Sequence, residues 1–283
     1  MPIGLNELLT LLDLETIEVN IFRGTNLEIP RQRVFGGQVA AQALIAAGRT
    51  VESGRVHSLH AYFLLPGDPR SPILYEVDRI RDGRSFTTRR VVAIQHGEVI
   101  FNLACSFHTD EVGLVHQQPM PKVKGPEELK SLASVLAEHP ETAMTSFLCA
   151  DGLDIRYVSA LPWEQRKGLV ERQQLWLRTS DRVSDDPLLH AAFATLVSDL
   201  TLVDTILNSH GYSPWDEAFI GASLDHCMWF HRPFRADEWL FYDQQSPTAF
   251  GARGLAFGTL YSQSGELVAS VAQEGLIRIR SAT

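Results

Sequence analysis

Residues 223–242, SLDHCMWFHRPFRADEWLFY, give the clearest indication of the fold. Apolar and polar side chains alternate through its centre, which is typical of a strand with one face on a core and the other in water. Part of it has an earlier counterpart, because Tyr62–Pro66 (YFLLP) matches Trp229–Pro233 (WFHRP) at an offset of 167 positions. Gly97–Val99 matches Gly265–Leu267 at an offset of 168. Two matches in the same order at nearly the same offset predict a duplicated unit.

Length and composition agree with two units of ordinary size. The chain has 283 residues, of which 45% are hydrophobic, so it can bury a sizeable core. Its net charge of −9 is not gathered in a tail, which makes nucleic acid an improbable partner. Three cysteines without a CxxC spacing favour a reducing compartment, and we expect the cytoplasm. We expect no leader peptide and no membrane span, since no apolar run is long enough.

The first unit is predicted to hold one long helix and a set of antiparallel strands. The helix, residues 38–48, is alanine-rich and apolar almost all round, which suits burial with backbone close on every side. Turn signals at Asp82-Gly83 and His96-Gly97 separate the strand-like segments and indicate hairpins. The predicted strands lie near residues 19–23, 56–65, 73–81, 85–95 and 99–108.

The second unit repeats this order after a proline-rich segment with one charged helix near residues 127–138. Asp186 followed by Pro187 is a strong helix start, and the helix is again mostly apolar. The predicted strands lie near residues 154–158, 170–178, 222–232, 239–245, 254–262 and 266–278. A buried helix wrapped by an antiparallel sheet, present twice, predicts an α+β double hotdog. We place the first hotdog at residues 1–108, a linker at 109–152 and the second hotdog at 153–283.

Asp199 is a candidate general base. It stands at the C-terminal end of the second apolar helix, where the helix dipole and a poorly hydrated interior both disfavour the charged carboxylate. A carboxylate kept at a position that disfavours its charge indicates a functional role. The alternative interpretation is that Asp199 or Ser198 caps a following helix at residues 200–207.

Gln273 and Ser223 are the other unusual polar residues of the second unit. Gln273 lies in an otherwise apolar row of its strand, so it faces the helix and must find hydrogen-bond partners. The alternative is a core glutamine that bonds only backbone. Its counterpart at offset 168 is Cys105, so the first unit lacks this amide. Ser223 begins the strand that should lie beside the helix end.

Arginines cluster around the turn at Asp82-Gly83, and they either form a solvated hairpin edge or bind the phosphates of an acidic substrate. The candidates for phosphate contact are Arg84, Arg89 and Arg90. Histidine spacings fit no single-face metal pair on a strand, so we expect no metal site. Serine-nucleophile elbows and phosphate-binding loops are absent from the sequence.

With these residues in view, nearly the whole chain resembles the acyl-CoA thioesterase II family, a tandem double-hotdog family. The segments that carry the resemblance are VFGGQ at 34–38, HAYFLLPG at 60–67, RDGRSFTTRR at 81–90, DHCMWFHRPF at 225–234 and AQEG at 272–275.

The resemblance implies hydrolysis of acyl-CoA, no cofactor and a homo-oligomer of double-hotdog chains. It also implies that Asp199, Ser223 and Gln273 together hold a water molecule for attack on the thioester carbonyl. Ser223 departs from the threonine that we associate with the bacterial family, although it keeps the hydroxyl. Two alternatives stay open at this point: a hotdog hydratase acting on enoyl-CoA, and a non-catalytic acyl-CoA-binding protein.

Overall fold

The computed structural model describes residues 3–27, 32–138, 151–161, 164, 172–214, 216 and 218–280. The elements of its first half are α1 (Leu5–Leu12), β1 (Glu15–Glu18), β2 (Ile21–Gly24), α2 (Gly36–Gly48), β3 (Arg55–Phe63), β4 (Ile73–Asp82), β5 (Phe86–Gln95) and β6 (Glu98–His108). A 3₁₀ turn (Pro126–Glu128) and α3 (Leu132–Glu138) follow. The second half contains β7 (Leu153–Tyr157), β8 (Arg172–Thr179), α4 (Pro187–Ser198), α5 (Asp204–Asn208), β9 (Phe219–Ser223), β10 (Asp225–Phe230), β11 (Leu240–Phe250), β12 (Arg253–Ser262) and β13 (Leu267–Ile279).

The strands form one continuous antiparallel sheet in the order β1-β2-β4-β5-β6-β3-β10-β13-β12-β11-β8-β7, with β9 also paired to β13. The two halves meet at β3 and β10, where His60 lies opposite Cys227. These two residues are separated by the repeat offset of 167 positions, so each pairs with its own counterpart and an approximate two-fold axis passes between them. The predicted double hotdog is confirmed.

The two central helices, α2 and α4, pack against each other in opposite directions. A side chain at Gly37 would come within 2.5 Å of the Leu196 carbonyl, and one at Gly48 would come within 2.4 Å of Leu188. Glycines near both ends of α2 therefore let the backbones approach, as the small side chains between them predict. This antiparallel packing brings the start of α2 beside the end of α4.

Local signals account for most element limits. The Asp186 carboxylate accepts the Leu188 amide (2.9 Å), and Pro187 opens the helix as predicted. The single strand expected at residues 222–232 is wrong, because β9 and β10 are separated at Leu224. There the Asp225 carboxylate accepts the Glu274 amide (2.7 Å) and replaces a ladder hydrogen bond.

The connection between the halves also differs from its prediction. Instead of one helix over residues 127–138, a 3₁₀ turn and α3 are separated by residues 129–131, and residues 139–150 lie outside the described part of the chain. The Trp176 indole donates to the Lys124 carbonyl (2.9 Å), which ties the connection to β8. The domain limits at residues 108 and 153 stay a prediction. No helix within the described residues is long and apolar enough to cross a membrane.

Candidate active site

Asp199 is the residue on which the candidate site is built. It ends α4, and only 8% of it is exposed. Its Oδ1 accepts the Ser223 hydroxyl (3.1 Å) from the end of β9 and the Gln273 amide Nε2 (2.5 Å) from β13. The three polar residues that the sequence singled out therefore meet at one carboxylate oxygen, although 24 and 74 positions separate Asp199 from its partners.

The capping interpretation of this region is wrong. Helix α5 begins after Val203, whose side chain makes no cap hydrogen bond. Ser198 instead lies back along its own helix, with its Oγ 2.9 Å from the Thr195 carbonyl. Neither Ser198 nor Asp199 therefore serves the following helix, and the carboxylate is left with two hydrogen bonds from distant strands.

A cavity of about 590 Å³ opens beside Asp199. Asp199 and Ser223 are its polar side chains nearest the helix ends, and its apolar wall includes Val39, Phe63 and Phe101. Gln273 is fully buried and does not line the cavity, so it contacts Asp199 from behind. The carboxylate thus has one hydrogen-bonded side within the protein and one side toward a partly open, mostly apolar cavity.

The start of α2 faces the same carboxylate. A side chain at Gly36 would come within 2.9 Å of Asp199 Oδ2, so the glycine leaves the space above that oxygen open. Phe35 precedes the helix and provides no side-chain cap, and the first-turn amides of Gly36, Gly37 and Gln38 have no acceptor within the helix. Open amides at the positive end of a helix favour a developing negative charge. Two glycines before an apolar helix without a capping side chain are the sequence signal by which these donors could have been predicted.

A second carboxylate lies near the first. Asp204 is almost fully buried, and its burial together with the nearby Asp199 charge raises its pKa to about 8. It does not line the cavity. Below that pH it is mostly protonated and neutral.

The matching positions of the first half have different chemistry. Arg49 ends α2 as Asp199 ends α4, and its guanidinium bonds Asp13 (2.6 Å). Val56 occupies the counterpart of Ser223 at offset 167. Cys105 occupies that of Gln273, and burial raises the pKa of its thiol to about 12. The first half therefore offers no carboxylate, hydroxyl or amide at these three positions.

The opposite ends of the helices border another cavity, of about 450 Å³, lined by Gly48 from α2 and Pro187 from α4. The two cavities differ in the helix that begins beside each of them. Asp186 caps α4 with its own carboxylate, whereas no side chain caps α2. An anionic cap occupies the place that a developing oxyanion would need, so the two ends of the molecule are not equivalent.

The arginines selected from the sequence behave differently from one another. Arg89 is 1% exposed, and its guanidinium donates to Thr50 Oγ1 (2.8 Å), to the Thr50 carbonyl (3.1 Å) and to Asp82 (2.5 Å). The expectation that Arg89 binds a substrate phosphate is therefore wrong, because these donors are committed inside the protein. Arg84 and Arg90 are exposed, and Arg90 lies 3.4 Å from Asp78.

Arg33 is a further basic residue, which is not among the arginines predicted from the sequence. It lines the cavity beside Asp199, and its guanidinium donates to the Gly221 carbonyl (2.5 Å). Its only signal in the sequence is its place three residues before Gly36. Within the described ranges, no group of three or more His, Cys, Asp or Glu side chains could hold a metal ion.

Comparison with known proteins agrees with this architecture. The acyl-CoA thioesterase family model matches residues 154–276, and the model of the acyl-CoA thioesterase N-terminal domain matches residues 27–108. Acyl-coenzyme A thioesterase 8 of Homo sapiens is 38% identical over 96% of this chain and 88% of that protein. Acyl-CoA thioesterase 2 of Haemophilus influenzae is 39% identical over 97% of this chain and 98% of that protein.

Solved structures give the same answer. The crystal structure of an acyl-CoA thioesterase II from Mycobacterium marinum superimposes with a TM-score of 0.78 and 45% identity, covering 96% of this chain and 98% of that one. The resemblance that the sequence motifs indicated is therefore confirmed over both halves. The chain belongs to the acyl-CoA thioesterase II family and is a thioester hydrolase.

Proposed function

We propose that the protein hydrolyses acyl-CoA thioesters to free fatty acid and coenzyme A, with Asp199 as the general base. One observation carries this proposal: the Asp199 carboxylate lies beside a mostly apolar cavity, directly below the open first turn of α2. A base and a set of oxyanion donors on opposite sides of one small space are what a hydrolytic water and a thioester carbonyl require.

The reaction needs no covalent intermediate on the enzyme. Asp199 removes a proton from water as the water oxygen bonds to the carbonyl carbon. The carbonyl oxygen becomes negatively charged, and the amides of Gly36 and Gly37 stabilise it. When the carbon–sulfur bond breaks, the departing thiolate takes the proton back from Asp199. Thioesters are activated acyl donors, so a single positioned base suffices.

Ser223 and Gln273 have different roles in this proposal. Ser223 lines the cavity, so its hydroxyl can contact the attacking water as well as Asp199. Gln273 does not reach the cavity and bonds Asp199 directly, so it orients the carboxylate. We therefore assign catalytic contact to Asp199 and Ser223, and positioning to Gln273.

The substrate is accommodated by the same cavity. Its apolar wall, formed in part by Phe63, Leu64 and Phe101, suits an acyl chain. Arg33 is the one arginine or lysine among the described residues that line this space, and it could bind a coenzyme A phosphate. Arg84 and Arg90 stay predicted phosphate contacts, since neither lines the cavity.

The test is to incubate the purified protein with saturated and unsaturated acyl-CoA and to follow both free thiol and the enoyl double bond. Thioester hydrolysis releases thiol from both substrates and leaves the double bond intact. A hydratase would remove the double bond without releasing thiol, and a binding protein would do neither. Either of these two results would refute the proposed function.

We also propose a cytoplasmic location and a homo-oligomeric state. The free thiols of Cys105 and Cys227 support a reducing compartment. Exposed aromatic side chains on the outer face of the sheet, among them Tyr62 (59% exposed) and Trp229 (38% exposed), support association between copies. Light scattering tests the second point, because a molar mass equal to that of one chain would contradict it.

A further inference from the structure

A buried histidine lies behind the candidate site and is not part of the proposed mechanism. His226, on β10, is completely buried, and its Nε2 lies 2.9 Å from the Ser198 hydroxyl. Ser198 immediately precedes Asp199. Burial lowers the pKa of His226, so its imidazole is neutral at neutral pH and carries a single proton. His226 does not line the cavity beside Asp199, so it cannot act on substrate directly.

Two buried polar atoms without hydrogen-bond partners connect this imidazole to Gln273. The Gln273 Nε2 donates to Asp199, but its Oε1 is buried without a hydrogen bond of good geometry. The Nδ1 of His226 is in the same situation. The two side chains are neighbours, because Cys227 lies opposite Ala272 in the pairing of β10 with β13, which makes His226 and Gln273 the next cross-strand pair. Both side chains are completely buried. An acceptor and a ring nitrogen without other partners complement each other only if the proton is on Nδ1.

Ser198 can fix that tautomer. The hydroxyl has one proton, and its Oγ lies 2.9 Å from both the Thr195 carbonyl and His226 Nε2. When the hydroxyl donates to Nε2 rather than to the carbonyl, the proton of the neutral ring must be on Nδ1. The opposite tautomer would direct a lone pair of Nδ1 at the carbonyl oxygen of Gln273. Rotating the amide by half a turn would relieve that clash, but it would then direct the amide oxygen at the Asp199 carboxylate. Only the Nδ1–H tautomer, with the Ser198 hydroxyl turned from the Thr195 carbonyl toward Nε2, leaves neither His226 Nδ1 nor Gln273 Oε1 without a partner.

We propose that His226 is a positioning residue of the hydrolytic site, whose Nδ1–H donates to Gln273 Oε1 and holds the amide with its Nε2 toward Asp199. The chain of hydrogen bonds then runs from Ser198 through His226 and Gln273 to Asp199. This inference rests on the proposed function, because its effect on turnover is transmitted through Asp199. Its consequence is that a residue outside the cavity determines the orientation of the base.

The test compares two isosteric replacements. In His226→Asn the side-chain amide nitrogen occupies roughly the position of Nδ1 and can still donate to Gln273. In His226→Gln the corresponding nitrogen lies closer to Nε2. We expect His226→Gln to lose roughly tenfold to a hundredfold in kcat, the range seen when groups that orient metal ligands are removed, with an unchanged KM. We expect His226→Asn to keep most of the activity. Equal losses in two folded variants would overturn the proposal.

A double-mutant cycle tests whether the effect passes through Gln273. In a Gln273→Ala background, His226→Gln should cause no further loss of kcat. Independent, multiplicative losses would overturn the proposal. Should the His226 variants not fold, Ser198→Ala provides another test. It keeps the imidazole but removes the hydroxyl that fixes which ring nitrogen carries the proton, so kcat should fall several-fold at constant KM. Full activity in that variant would also overturn it.

The two proposals fail in distinguishable ways. If Asp199→Asn retains full thioesterase activity, the proposed function fails whatever the His226 variants do. If Asp199→Asn is inactive while His226→Gln retains full kcat, only the positioning role fails.

Discussion

Replacing Asp199 by asparagine separates the base from the structure around it. Both donors, Ser223 Oγ and Gln273 Nε2, bond the same oxygen, Oδ1. An asparagine that directs its carbonyl oxygen at them keeps both hydrogen bonds and places its amide where Oδ2 was. The cavity and the packing of α4 are therefore preserved, and what is lost is the ability to take a proton from water.

The expected loss follows from that change. Removing a positioned general base typically costs 10²–10⁴-fold in rate, which corresponds to about 3–5 kcal/mol of activation free energy. Stability should not fall, because the Asp199 charge is one of the causes that raise the pKa of buried Asp204. A neutral residue at position 199 removes that repulsion.

The assay is thiol release from acyl-CoA, with the thermal unfolding temperature measured on the same samples. The matched control is Cys105→Ser, at the counterpart of Gln273 in the first half, where we expect unchanged turnover. Ser223→Thr should also be tolerated, since the hydroxyl is kept. Full activity in Asp199→Asn together with an inactive but folded Cys105→Ser would refute the reasoning and place the chemistry in the other half.

Three further predictions follow from the geometry. Asp204 has a folded-state pKa of about 8 against an ordinary 3.8, so between these pH values the folded protein holds a proton that the unfolded chain has released. The free energy of unfolding should fall there by up to about 1.4 kcal/mol per pH unit as pH rises, and urea titrations should show a flatter, higher profile for Asp204→Asn. Gly36→Ala places a methyl group 2.9 Å from Asp199 Oδ2 and 2.7 Å from the Phe63 ring, so kcat should drop by up to about 10²-fold; an unchanged kcat would contradict the place of the oxyanion donors. Arg89→Ala leaves buried acceptors of Thr50 unpaired at about 1–3 kcal/mol each and should lower the unfolding free energy, whereas Arg84→Ala should leave stability unchanged and raise KM for acyl-CoA most at low salt. Equal stability of these two arginine variants would contradict the role of Arg89 as a buried hydrogen-bond donor.

The elements and their duplication could be predicted from the sequence. Side-chain periodicity is a local property, so it predicted two buried helices and the antiparallel strands between glycine-containing turns. The repeat offset of 167 then predicted that the halves are equivalent, and His60 does lie opposite Cys227. Asp199 and Gln273 could be selected because each is a polar residue where the local pattern requires an apolar one.

Which atoms meet depends on how distant elements pack, and local sequence patterns do not contain this information. The break at Leu224 arises because the Asp225 carboxylate takes a ladder amide from the neighbouring strand, a contact between residues 49 positions apart. Long-range contacts also place Arg89 inside the protein, where its guanidinium donates to Thr50 and Asp82 rather than to a phosphate. The open amides of α2 face Asp199 because two helices from different halves pack antiparallel. Local pattern fixes the face on which a side chain lies, but partners on distant elements are fixed by how the whole sheet is paired and closed around the helices.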